Sequence, residues 1–209
     1  MSAPVLTFLR LITLFLKNTA GCINSPYTTY RKLADGKTDS RQILFIFLLA
    51  LCYFAFASAV RVGIRHPYLL TFKLNQLILG GVSGFAGMIA YLFIMGRLLG
   101  SVSRFTTLCL LWAYTLLPTI MWFFTTSFVY LILPPPRTLS IWGKLFSVVF
   151  IAYSLAILLW KLILYYLTLR FGLRIGLAKI GAVSMILAPI ICIYSILMYQ
   201  LRIFRIPFL

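Results

Sequence analysis

The sequence predicts an all-α, polytopic integral membrane protein: a five-helix transmembrane bundle preceded by amphipathic helices at the membrane interface. Three observations carry this. The 209 residues are 63% hydrophobic and only 10% charged, with a mean hydropathy of +1.05. A soluble domain of this length needs far more polar surface. Apolar runs long enough to cross a hydrocarbon core of about 30 Å recur along the chain. Finally, both carboxylates, Asp35 and Asp39, fall in one short polar segment just before the first long run.

Residues 1–41 read as an interfacial lead-in and 42–209 as the transmembrane domain. Val5–Leu16, "VLTFLRLITLFL", is too short to span. Arg10, Thr13 and Lys17 share one helical face and apolar residues cover the rest, which suits a helix lying in the interface. Ser25 then offers an N-cap with Pro26 at the first helical position. Tyr27, Tyr30 and Leu33/Ala34 recur at helical spacing up to Gly36, a natural stop. Five spans follow, at about Gln42–Val60, Leu74–Gly96, Phe105–Leu133, Leu145–Leu169 and Ile180–Leu201. Short connections join them, "PPPR" at Pro134–Arg137 being the clearest break. There is no sequence repeat and no separate soluble domain.

Nineteen Lys and Arg against two acids give a net charge of +17. Interfacial cations paired with anionic lipid head groups account for much of this; Arg31, Lys32, Arg170 and Arg174 are the foremost candidates. An acid-bearing protein partner is the other account. The cations are scattered over connecting and terminal segments, which argues against nucleic acid. One side receives Arg10, Lys17, Arg31, Lys32, Lys37, Arg41, Arg97, Arg104, Arg170, Arg174 and Lys179. The other receives Arg61, Arg65, Lys73, Arg137, Lys144, Arg202 and Arg205. Eleven against seven favours a cytoplasmic N-terminus. Asp39 is placed to cap the first span, and Asp35 to pair with Arg31.

Catalysis and metal binding find little material. There is no glutamate, and the single histidine, His66 in "RHPY", reads as a loop residue. No zinc spacing, phosphate-cradling glycine loop or nucleophile–base pair can be assembled, so no catalytic, metal or cofactor site is expected. Proton-coupled transport usually needs an intramembrane acid, and the spans hold none. Cys52, Cys109 and Cys192 pack as small hydrophobes. Cys22 in "TAGC" loosely resembles a lipoprotein processing site, but the basic start before the apolar run is absent.

Three features remain inside the membrane. "GGVSGFAG" places Gly80, Gly84 and Gly87 along the second span at a spacing that lets helix backbones approach, within the chain or across a dimer. In "WAYTLLPTIMWFF", Pro118 leaves the Tyr114 carbonyl without its helical donor, which predicts a kink or part of a polar cavity. Lys161, in "LLWKLILYY", lies within the fourth span. It either snorkels toward the interface or faces a polar interior or a partner carboxylate.

"SPYTTYRKLA" and "WAYTLLP", in this order of parts, resemble the Yip domain family, the Ypt/Rab-interacting membrane proteins, in its short prokaryotic form. The Asp-Leu-x-Gly-Pro element of eukaryotic members has no counterpart, since the first loop reads "RVGIRHPY". The resemblance implies a multi-pass protein of a prokaryotic inner membrane, without defined enzymatic activity. Its role would be that of a membrane scaffold or an accessory subunit of a transport or trafficking complex. The alternative is a lipid or small-molecule permease component with a cavity at the kinked third span.

Overall fold

The structure, a computed structural model, describes residues 3–35, 39–62, 66–101, 103–132 and 141–203. Gly36, Lys37, Arg65, Pro134–Arg137 and Arg205 lie outside the described residues. Helices α1 (Ala3–Asn24), α2 (Pro26–Ala34), α3 (Gln42–Val62), α4 (Pro67–Leu98), α5 (Phe105–Tyr114), α6 (Leu116–Ile132), α7 (Ile141–Leu167) and α8 (Leu177–Gln200) follow in order. A π-helical turn, Thr168–Gly172, continues α7. No strand occurs among the described residues. Six helical stretches are long and apolar enough to cross a membrane. Helices alone suit such a chain, because each satisfies its own backbone within lipid.

The first correction concerns α1. It runs 22 residues, well past Leu16, and so has the length to span. Asn18 and Gly21 do not stop it. The helix ends where Ser25, preceding Pro26, is pushed off helical geometry to φ −145°. Gly21 stays helical and, lacking a Cβ, admits the Thr29 side chain of α2. Its cationic residues weigh against a span. Arg10 and Lys17, both exposed, would sit near the middle of a spanning helix, at about 2.5–3.5 kcal/mol each. Phe8 and Phe15 both flank Phe45 of α3, with ring centroids 6.0 and 5.6 Å away.

From α3 onward the chain alternates direction. Helices α3 and α4 are antiparallel: Ser58 Oγ donates to the Leu70 carbonyl at one end, and Phe47 meets Phe85 further along. Helix α6 runs alongside α3, with Tyr53 stacked on Phe123 at 5.3 Å. Helix α7 returns against α6 through Trp122 Nε1 to Ser154 Oγ (2.8 Å) and against α5 through Trp112 stacked on Tyr165. Helix α8 runs antiparallel to α4, held by Tyr91 Oη to the Val183 carbonyl and Tyr194 Oη to the Gly80 carbonyl.

This alternation gives a topology test. Reporters after Lys37 and at Leu209 are expected on opposite sides, and a reporter at Met1 on the same side as Lys37. Opposite sides for Met1 and Lys37 would make α1 a sixth span.

The third span is two helices. Thr115 interrupts it, its N–H and its hydroxyl both donating to the Trp112 carbonyl. This is the tight local turn expected where Pro118 deprives the Tyr114 carbonyl of a donor. Asp39 Oδ1 accepts from the Arg41 N–H at 3.0 Å, just ahead of α3. The ion pair found among the described residues is Arg41–Asp39 at 4.0 Å, not Arg31–Asp35. Asp35 instead lines a polar pocket with Arg104 and Arg174.

Candidate functional site, a cavity within the bundle

The site grows out of how α8 is attached. Gly80 and Gly84 carry no side chain, so Tyr194 of α8 lies against α4 there. A Cβ on Gly84 would stand 2.7 Å from Tyr194 Oη. Further along α4, a Cβ on Gly87 would meet nothing within 4 Å. Gly87 therefore opens onto space instead of packing on a helix. That space is a cavity of about 590 Å³ between α4 and α8 on one side and α3, α5, α6 and α7 on the other.

The cavity is predominantly apolar and aromatic, with Phe54, Phe123, Trp112 and Tyr165 among its walls. Its rim reaches lipid-facing positions at Leu51, Val82 and Ile190, which are 44, 55 and 42% exposed. Two polar groups stand out in its lining. Lys161 is only 7% exposed, with its ammonium 5.3 Å over the Tyr165 ring. It does not snorkel to a lipid-facing surface. About 16 Å of helix separates it from Gly172 at 1.5 Å per residue. Thr119 Oγ1, one residue after the kink proline, is buried with no hydrogen-bond partner among the described residues.

The three intramembrane features of the sequence thus meet at one place, with one exception. Neither Tyr114 nor Pro118 lines the cavity. Pro118 acts through the break, which turns Leu116, Thr119 and Ile120 toward the space. Tyr114 is fully buried elsewhere and donates to Gln42 Oε1 at 2.6 Å. Gln42 Oε1 also accepts from Asn18 Nδ2 at 2.8 Å, so one amide joins α1, α3 and α5.

Sequence reasoning missed Trp112, Thr119, Tyr165 and Tyr194, since aromatic and hydroxyl residues are common in any span and carry no spacing signal. It also missed the π turn. There Thr168 Oγ1 bonds back to the Leu164 carbonyl, and side-chain-free Gly172 lets Leu108 and Leu111 of α5 approach. Pro189 inside α8 was a readable signal: it withholds a donor from the Met185 carbonyl next to cavity-lining Ile190 and Ile191.

The basic candidates occupy a different region. Arg31 and Lys32 on α2, Arg170 in the π turn and Arg174 after it are all exposed. They share one end of the bundle, where Tyr27 packs edge-on against Phe171 at 5.1 Å. Arg170 donates to Tyr166 Oη, and Arg174 adopts φ 55° beside the polar pocket. Tyr30 anchors α2 by donating to the Leu111 carbonyl at 3.2 Å. Burial pushes its phenol well above the ordinary value, so it stays a neutral donor. Among the described residues, no group of three His, Cys, Asp or Glu could hold a metal. Cys22 is fully buried, and its carbonyl accepts from Trp160 Nε1.

The family model of the Yip1 domain matches residues 20–199, from the last turn of α1 to the end of α8. The chain belongs to the Yip1 domain family. The cavity, the kinked third span and the basic end all lie within the matched Yip1 domain, whereas most of α1 precedes it. No curated protein and no solved structure matches the chain. Membership makes this an integral, multi-pass membrane protein of the Yip family.

Proposed function

We propose that this Yip1-domain protein holds a lipid-like or other small apolar molecule within its bundle, as a component of a membrane transport or trafficking system. The observation that carries this reading is the cavity itself. About 590 Å³ lies within the range of pockets that enclose a drug-sized ligand, about 300–1,000 Å³. Its rim at Leu51, Val82 and Ile190 lets a molecule enter sideways from the bilayer. The aromatic walls supply apolar contact, and Lys161 and Thr119 supply orientation. A non-enzymatic role is part of the reading, as is a prokaryotic inner membrane with a cytoplasmic N-terminus. The scaffold or accessory-subunit reading rests on the exposed basic end. Anionic head groups, a homo-oligomer or an acid-bearing subunit would neutralise Arg31, Lys32, Arg170 and Arg174 there.

Ligand occupancy predicts a stability difference. A ligand that binds only the folded state stabilises it by mass action, about 2.7 kcal/mol at a hundredfold excess over Kd. Protein extracted gently in dodecyl maltoside is expected to melt several degrees above the same protein after exhaustive delipidation. Gly87→Trp, which fills the space that Gly87 faces, is expected to melt alike in both preparations. A wild-type protein indifferent to delipidation would refute the ligand reading.

A further inference from the structure

Among the described residues Lys161 has no anion within reach. Among the described residues no carboxylate pairs with it: Asp39 is engaged by Arg41, and Asp35 lines the polar pocket with Arg104 and Arg174. The Tyr165 ring offsets only a fraction of what desolvating an ammonium costs. A buried lysine in apolar surroundings therefore gives up its proton or acquires a counter-charge. Thr119 Oγ1 is a second unpartnered polar atom lining the same space. Two groups able to donate to an oxyanion thus line a chamber otherwise built of apolar and aromatic walls.

We propose that the cavity takes a single-chain amphiphile with an anionic oxygen head group, a carboxylate or phosphate monoester. The head pairs with Lys161 and accepts from Thr119, while the alkyl chain lies along the aromatic walls toward the rim at Val82 and Ile190. This rests on the ligand reading above and adds the ligand's charge and shape. The lining favours an amphiphile over a partner helix: all six helices α3 to α8 already wall the space, which has the size of a small-ligand pocket at about 590 Å³. The head's charge also supplies the carboxylate or phosphate that the chain itself does not place near Lys161.

The test uses the full chain, delipidated in dodecyl maltoside, with cis-parinaric acid as a fluorescent probe. Wild type is expected to bind it, with palmitate or hexadecyl phosphate displacing it at least about tenfold better than hexadecanol. Which of the two anions competes more strongly assigns carboxylate or phosphate. A hydrogen bond to a charged group is worth about 10–100-fold in affinity. Lys161→Met is expected to lose that much toward the acid while retaining hexadecanol, and Lys161→Arg to keep acid binding. Hexadecanol competing as well as palmitate in wild type overturns the charge pairing and leaves the cavity reading standing; that comparison needs no variant. Equal acid affinity in wild type and Lys161→Met overturns it as well. Wild type binding neither acid nor alcohol overturns the cavity reading itself. A membrane protein that co-purifies with wild type and is lost in Lys161→Met, with no acid bound, assigns the lysine to a partner's carboxylate and overturns the amphiphile.

Discussion

Gly84→Leu is expected to lower the melting midpoint in detergent by about 3–14 °C. A Cβ at this position would stand 2.7 Å from Tyr194 Oη and 3.0 Å from Tyr194 Cζ, so a leucine must displace that ring. The Tyr194 hydrogen bond to the Gly80 carbonyl is lost with it. Overpacking of this kind costs about 1–3 kcal/mol, and an interhelical hydrogen bond in a membrane protein adds about 0.6 kcal/mol. At about 2–4 °C per kcal/mol for a chain of this size, the shift follows. Gly87→Leu supplies the contrast, because its side chain enters open space, and it should leave the midpoint within about 2 °C. Equal midpoints for wild type and Gly84→Leu would mean that α8 does not pack on α4 at this glycine.

The second large effect is expected at Gln42, 0% exposed at the start of α3. Its Oε1 takes hydrogen bonds from Asn18 of α1 and Tyr114 of α5. Gln42→Leu keeps the bulk and strands both donors, each at about 1–3 kcal/mol when buried. The expected loss is about 2–6 kcal/mol, together with faster proteolysis at the junction of α1 and α2. Tyr114→Phe strands no donor and leaves the Asn18 bond in place, so it should cost about 1 kcal/mol. If Gln42→Leu melts like wild type and resists protease equally, α1 is not held by this amide.

Much of the architecture was legible because membrane spans announce themselves by length and apolarity. Pro118 was legible too: a proline inside a span must leave a carbonyl unpaired, and the helix does break at Thr115. Where the reading failed, the reasons are physical. The apolar run Val5–Leu16 understates α1, because the helix continues through the polar residues after it and ends only before Pro26. Tyr114 stands at the kink its spacing from Pro118 predicts, but its phenol reaches Gln42, a pairing across distant sequence that no local spacing encodes. Gly80, Gly84 and Gly87 form one stripe in sequence, but Tyr194 of α8 lies against the first two and open space beside the third. Lys161 could be located by eye, but whether it faced lipid or the bundle depended on the rotation of α7.

The central claim, that the cavity beside Lys161 carries a membrane-derived ligand, is tested most directly by native mass spectrometry of protein released from mild detergent. The account predicts a wild-type peak heavier than the bare chain by the mass of one small amphiphile. That adduct should yield an anionic species on dissociation and be absent from Gly87→Trp. A wild-type spectrum of bare protein alone, identical to that of Gly87→Trp, would contradict it.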